Sequence, residues 1–288
     1  MYPIVRLAGN LSGCFMRTIA HISDLHFGRV DPAIAEALRA DLLDDPPSLL
    51  VVSGDFTQRA RTRQFRAATE YLRSLPQPQL VVPGNHDIPA YNLFRRFINP
   101  LKGYRRFITP DLRPVFQDER MLVMGINTAR SFTRMGGIIT DEKLLDVQLR
   151  VRDSDEGLFK IVVTHHPLMP APGEARTDLV QRHAEALRLF EQCGVDLLLS
   201  GHFHLAYSGD VRTHHTAVKR SILSVHAGTA TSTRVREGEP QGYNWITIQQ
   251  DHLQIEARGW DGRRFVPLSH IGYTRVDGEW WRDEALAR

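Results

Sequence analysis

The sequence predicts a layered α/β fold whose strand ends converge on one polar crevice. Short apolar runs alternate with helical patterns through the first half of the chain. Five of these runs, residues 19–22, 49–52, 80–82, 161–163 and 197–199, are short enough to be buried strands, and each leads into a segment rich in Asp, Asn or His. Those segments are Asp24-Leu25-His26, Gly54-Asp55, Gly84-Asn85-His86-Asp87, His165-His166-Pro167 and Gly201-His202-Phe203-His204. In a layered α/β protein the loops leaving neighbouring strands meet in one crevice, so residues far apart in sequence become neighbours.

Each element has its own local signal. Residues 32–43 carry apolar side chains at Ile34, Ala35, Leu38 and Leu42, and Pro32 sits where a helix accepts proline, in its first turn. Residues 63–75 place Phe65, Ala68, Tyr71, Leu72 and Leu75 on one helical face, with Pro76 and Pro78 ending the helix. Two βα units before residue 90 predict parallel pairing. The stretch 91–107 is aromatic and basic, and residues 91–118 read as a cap-like insertion beside the crevice. Strands follow at 121–126 and 159–164, flanking a helix at 140–151 in which Lys143 supplies no acidic half of a capping box. A helix at 184–191 ends near Gly194, and strands at 221–225, 243–249 and 253–259 complete the pattern, with Gln250-Asp251-His252 closing a hairpin. Without repeats or a linker, residues 16–288 read as one domain and 1–15 as an upstream start or disordered extension ahead of Met16.

Composition narrows the classes. The 288 residues are 42% hydrophobic with a net charge of +3, ordinary for a globular protein and without a basic tail for nucleic acid. No apolar run approaches the ~20 residues of a membrane helix, and Pro3, Gly9, Asn10 and Gly13 interrupt the start, unlike an export signal. Cys14 and Cys193 are too few and too far apart for a disulfide framework, so a reducing, cytoplasmic location is expected.

The chemistry follows from the donor set. Asp24 and His26 are two residues apart, which in extended backbone puts both on one face, and His202 and His204 repeat the spacing. Carboxylate, imidazole and amide donors without thiolate suit Mn, Fe, Co, Ni or Zn. Two Asp, four His and one Asn exceed the needs of one four-coordinate ion and fit a pair of ions sharing Asp55. Two dications bring four positive charges and the two carboxylates remove two, leaving a cationic centre suited to activating water and neutralising phosphoryl oxygens. Phosphoester hydrolysis is the natural reaction. His86, between site residues, could donate a proton or hydrogen bond to the leaving oxygen.

In order and spacing these blocks resemble the five-block signature of calcineurin-like metallophosphoesterases, over residues of about 17 to 205. The resemblance implies a four-layer α-β-β-α sandwich. It implies one ion held by Asp24, His26, Asp55 and His204, another by Asp55, Asn85, His165 and His202, and a transition-state role for His86. The Ser23-Asp24-Leu25-His26 start, the Gly84-Asn85-His86-Asp87 block and His165-His166-Pro167 look most like bacterial class III cyclic-nucleotide phosphodiesterases. The metals expected are Mn, Fe or both, with Zn as an alternative.

Several residues carry competing readings. His166 could exchange roles with His165. His226, after the 222–225 run, is a substrate contact or a structural core histidine. Arg95 and Arg96 in the basic stretch are substrate candidates, with Tyr91, Phe94 or Tyr104 to stack on a base. Arg59, Arg61, Arg63 and Arg66 read as a solvated helix start. Trp280-Trp281 docks the tail or joins copies into a homodimer. The leading expectation is hydrolysis of a small phosphodiester, a 3′,5′-cyclic nucleotide first. Alternatives are a nuclease, a lipid-linked pyrophosphate hydrolase or a non-catalytic scaffold, the last disfavoured because buried carboxylate and imidazole without metal are costly to hold together.

Overall fold

A computed structural model describes residues 5–6, 16–132, 136–171 and 178–283. The expectation for residues 1–15 therefore lies outside the described residues, except that strand β1 (Val5–Arg6) pairs in parallel with a later strand. Cys14 also lies outside them.

The chain then builds β2 (Met16–Ile22), α1 (Pro32–Asp44), β3 (Leu49–Val52), α2 (Thr62–Ser74) and β4 (Gln79–Val81). The three strands pair in parallel, as two βα units require. Asp31 caps α1, its Oδ1 accepting from the amides of Ala33 and Ile34, and Pro32 follows as the first helical residue.

Two short helices follow, α3 (Leu93–Ile98) and α4 (Lys102–Phe107). α4 is less a cap than part of the helical layer: Tyr104 is fully buried and its hydroxyl donates to the Val81 carbonyl. Next come β5 (Val115–Gln117), β6 (Met121–Gly125), α5 (Asp141–Arg152), β7 (Phe159–Val163), α6 (His183–Gln192) and β8 (Leu197–Ser200). The chain closes with β9 (Tyr207–Asp210), β10 (Leu223–His226), β11 (Gly242–Gln249), β12 (His252–Trp260), β13 (Phe265–Val276) and β14 (Glu279–Arg282).

These strands form two seven-stranded sheets, ordered β1-β5-β6-β7-β8-β10-β9 and β14-β13-β12-β11-β2-β3-β4. Alternation along each strand decides the layering. Ile19, Leu49 and Val51 face Val123, Ile161, Leu199 and Val225 across a shared inter-sheet core. Their sequence neighbours Ile22, Leu50 and Val52 pack the other way, onto Leu38, Phe65 and Leu72 of α1 and α2. Leu122, Val162 and Leu198 likewise pack onto Val147, Leu187 and Phe190 of α5 and α6. The result is a four-layer α-β-β-α sandwich. Each such buried Leu, Ile or Val contributes roughly 1.5–3 kcal/mol of transfer free energy.

The sequence missed β1, β5, β9, β13 and β14. β13 mixes exposed Leu268 with buried Phe265 and Tyr273, so no alternation stands out along its length. Trp280 does dock the tail: it is buried, edge-on to Phe159 of the other sheet, whereas Trp281 is exposed. Cys193 is a free thiol. No helix among the described residues is long and apolar enough to cross a membrane.

Candidate metal centre

Residues from both sheets meet at the carboxyl ends of their strands. The loops after β2, β3 and β4 bring Asp24, His26, Asp55 and Asn85, and the loops after β7 and β8 bring His165, His202 and His204. The local backbone is not the extended one that the spacing suggested. Asp24 (φ 54°), His26 (φ 49°), Asp55 (φ 54°), His202 (φ 76°) and His204 (φ 54°) are all left-handed. For residues with a Cβ this conformation is disfavoured, and it persists where the surroundings over-determine it. Asp24 and His26 converge because the chain turns at alternate residues, anchored by Asp24 and His26 amides donating to the Gly54 and Asp55 carbonyls.

The donor atoms lie at the mutual distances of a coordination shell. Asp24 Oδ1 is 3.0 Å from His204 Nε2 and 3.4 Å from His26 Nε2, and those two nitrogens are 3.2 Å apart. Asp55 Oδ2 stands between the groups, 3.8 Å from His26 Nε2 and 3.5 Å from His165 Nε2. His165 Nε2 is 2.9 Å from Asn85 Oδ1. The His202 ring lies 5.2 Å from the His165 ring, centroid to centroid.

Each carboxylate has one oxygen tied and one turned inward. Asp24 Oδ2 accepts from Ser23 Oγ and the His202 amide, while Oδ1 is buried without a hydrogen-bond partner. Asp55 Oδ1 accepts from the His86 amide at 2.8 Å, leaving Oδ2 toward His26 and His165. Buried oxygens and imidazole nitrogens facing one another at about 3 Å need a proton or a cation between them. Asp24, His26, Asp55, His165 and His204 fall into groups that could hold metal ions, and Asp55 belongs to more than one of them.

Electrostatics follow the same geometry. Burial pushes Asp24 and Asp55 upward, but neighbouring imidazoles, His204 for Asp24 and His165 for Asp55, outweigh it and hold both well below the usual carboxylate range. For His165 burial acts downward, but Asp55 overrides it and raises the imidazole to about 9. Burial, reinforced by the neighbouring His165, lowers His202 to about 3, which leaves it neutral as a ligand must be.

A supporting shell fixes the ligands. His165 Nδ1–H donates to the Ser53 carbonyl, directing Nε2 at Asp55. Ser53 Oγ accepts from His21 Nε2 in turn, and Asn244 of β11 donates toward His21 Nδ1 and to the His226 carbonyl. Asp87 accepts from the amides of Phe56, Thr57 and Gly84 and from the Thr57 hydroxyl, clamping the loops after β3 and β4 together. Burial and the nearby Asp55 push it up to about 7. At Gly84 a Cβ would stand 2.1 Å from Asp55 Oδ1, and at Gly201 it would stand 2.6 Å from Asp24 Oδ2, so both must lack one. Of this shell the sequence marked only Asp87 and the glycines, since His21, Ser53 and Asn244 sit inside strands or at their ends without a motif.

The remaining candidates divide. His166 is tied by Nδ1 to the Thr128 hydroxyl at 2.8 Å, and of the pair it is His165 that faces Asp55. His86 donates from Nδ1 to the Gln58 carbonyl and accepts at Nε2 from Arg234, 2.7 Å away, a partner the sequence did not disclose. Arg95 is exposed on α3, but Arg96 is buried, its Nε donating to the Ser131 carbonyl and its NH1 to that of Pro89, so it pins loops instead of facing substrate. Tyr104 is in the core, whereas Tyr91 and Phe94 are exposed. His226 is fully buried between the rings of Phe203 and Tyr207 and lowered to about 3 by burial.

Residues 17–206 match the calcineurin-like phosphoesterase family. A glycerophosphodiester phosphodiesterase of Enterobacter lignolyticus is 27% identical over 202 residues, covering 61% of this chain and 69% of its own. A probable cyclic nucleotide phosphodiesterase of Vesicomyosocius okutanii is 22% identical over 202 residues, covering 69% of this chain and 77% of its own. Among solved structures, PhoD aligns with a TM-score of 0.70 at 10% identity, over 93% of this chain and 71% of that one. A dimetal phosphatase of Danio rerio aligns with a TM-score of 0.60 at 13% identity, over 88% of this chain and 98% of that one. At such identities the structural likenesses speak for the fold alone.

Proposed function

The chain belongs to the calcineurin-like phosphoesterase family and is a hydrolytic phosphoesterase, and from that premise we propose a dinuclear metal-dependent phosphodiesterase acting on a small phosphodiester. The observation that carries the proposal is Asp55 Oδ2, which stands within 4 Å of donor nitrogens on both sides. Asp24, His26, Asp55 and His204 would hold one ion, and Asp55, Asn85, His165 and His202 the other. When bound, the two ions supply the positive charge that activates water and draws charge from the phosphoryl oxygens.

The chain's own residues do the rest. His86 and Arg234 stand together at the edge of the cluster, the His86 ring 4.9 Å from that of His26. An oxygen entering between them would meet the guanidinium N–H groups and free His86 Nε2, which after taking a proton from solvent would pass it to the leaving oxygen. The relatives named above act, by their names, on glycerophosphodiesters and on cyclic nucleotides, and diesters of both classes belong in the substrate panel.

The test is metal content and turnover together. Mn²⁺-loaded protein should cleave bis-p-nitrophenyl phosphate, and a panel of cyclic nucleotides and glycerophosphodiesters should identify a preferred diester. Asp55→Asn should lose most turnover and at least one metal equivalent. Two full equivalents with near-normal turnover in that variant would end the shared-carboxylate reading.

A further inference from the structure

Beside His86 lies a cleft of about 500 Å³ whose wall includes Arg29, Arg59, Arg61, Arg63 and Arg234, together with Gln58. It is joined to the metal centre by two of its own residues: the Gln58 carbonyl accepts from His86 Nδ1, and Arg234 donates to His86 Nε2. Among the described residues none of the five arginines forms an ion pair with a carboxylate. That sets them apart from Arg113, Arg182, Arg212, Arg220 and Arg258, each of which has an acidic partner. Five like charges around one cleft repel, so the arrangement opposes folding unless an anion completes it. The loop is also held in shape: Gln64 Oε1 accepts from the amides of Arg59 and Arg61, and the Arg59 guanidinium lies 5.5 Å from the Tyr91 ring centroid.

We infer that this cleft is an anion subsite for the leaving group, and that the substrate is a small phosphodiester whose leaving portion carries a phosphate of its own. The inference rests on the phosphodiesterase reading above and names its substrate class. Guanidinium forks match phosphate oxygens in pairs, and the volume falls within the range of small-molecule sites, larger than one phosphate needs and adequate for a phosphorylated sugar or nucleoside. A 3′,5′-cyclic nucleotide has only its scissile phosphate and would leave the cleft unused. In the reaction, water adds across the scissile P–O bond: its oxygen stays on the phosphoryl group and a proton passes to the leaving oxygen. The cleft, on the His86 side, then holds the departing phosphate.

The experiment compares a 5′-phosphorylated deoxyadenosine dinucleotide with its unphosphorylated form, using Mn²⁺-loaded protein and bis-p-nitrophenyl phosphate as a control. The phosphorylated dinucleotide should be favoured in kcat/KM by about tenfold or more, chiefly through KM, as expected for charge-assisted contacts. Arg61→Gln/Arg63→Gln and the stronger Arg61→Glu/Arg63→Glu, both at exposed positions, should bring that ratio toward one. A ratio near one in the unaltered protein, or unchanged in both variants, overturns the inference while leaving the phosphodiesterase reading in place. So does a tenfold preference for a long 5′-phosphorylated DNA strand over the dinucleotide. Failure to cleave any diester, the control included, overturns the underlying reading as well.

Discussion

At the scale of single residues, the centre works by giving each polar atom one fixed partner and one open direction. Asp24 and Asp55 each have one oxygen tied and the other turned inward, and His165 is steered by the Ser53 carbonyl. His86 stands beside His26 and Asp55, but both its ring nitrogens are engaged, by Gln58 and Arg234. His86→Ala should therefore keep its metals and lose roughly 10²–10⁴ in kcat on a poor leaving group. The loss should shrink on p-nitrophenyl esters, whose leaving oxygen needs little protonation. Equal losses on both esters, or loss of metal, would remove His86 from the leaving-group role. The cluster itself was legible in the sequence because its residues stand together at the ends of apolar runs. Arg234 was not, because it lies in a turn-rich stretch with no motif, and only the fold brings it 2.7 Å from a residue 148 positions away. Arg96 misled for the opposite reason: composition marks a basic stretch but does not say which guanidinium is consumed by backbone carbonyls.

At the scale of elements, the strands position the site by ending and turning sharply. The parallel pairing of β2, β3 and β4 and their burial followed from sequence, since two βα units need crossovers and strands buried on both faces read as unbroken apolar runs, which for the same reason do not tell which residue faces which layer. The left-handed turns did not, because Asp and His carry no propensity strong enough to announce them. Close approach between loops sets a further demand at Gly84, where the backbone passes against Asp55. Gly84→Ala should destabilise the protein by about 1–3 kcal/mol, as overpacking does, and weaken metal binding with it. Denaturant titration and metal content would check both, and an unchanged midpoint would mean that the two loops can separate freely.

At the scale of the whole molecule, metal binding and acidity are linked through His165. Its imidazole is raised from 6.5 to about 9, burial opposing and Asp55 prevailing. A histidine raised on folding contributes stability that is fully present below about 6.5 and fades as pH climbs through 9. A ligating imidazole must give up its proton, so the same shift makes metal affinity rise with pH across that window. Calorimetry at pH 7 in buffers of differing ionisation enthalpy should show about one proton released per site loaded through His165. No release would contradict the placement of that proton.

The pairing of β2 with β11 joins residues 16–22 to residues 242–249. In the order in which a ribosome makes the chain, every proposed ligand has emerged once residue 204 is out, yet the edge of β2 still waits for a partner that begins only at Gly242. Until β11 arrives, that edge is open and the inter-sheet core lacks Ile246, Ile248, Leu253 and Ile255. A chain stopped at residue 206, where the family match ends, should therefore carry all seven ligands and assemble none of them. Far-ultraviolet circular dichroism and protease resistance would show an unfolded product, whereas a folded, metal-binding fragment would mean that the chain after residue 206 is not needed to hold the centre together.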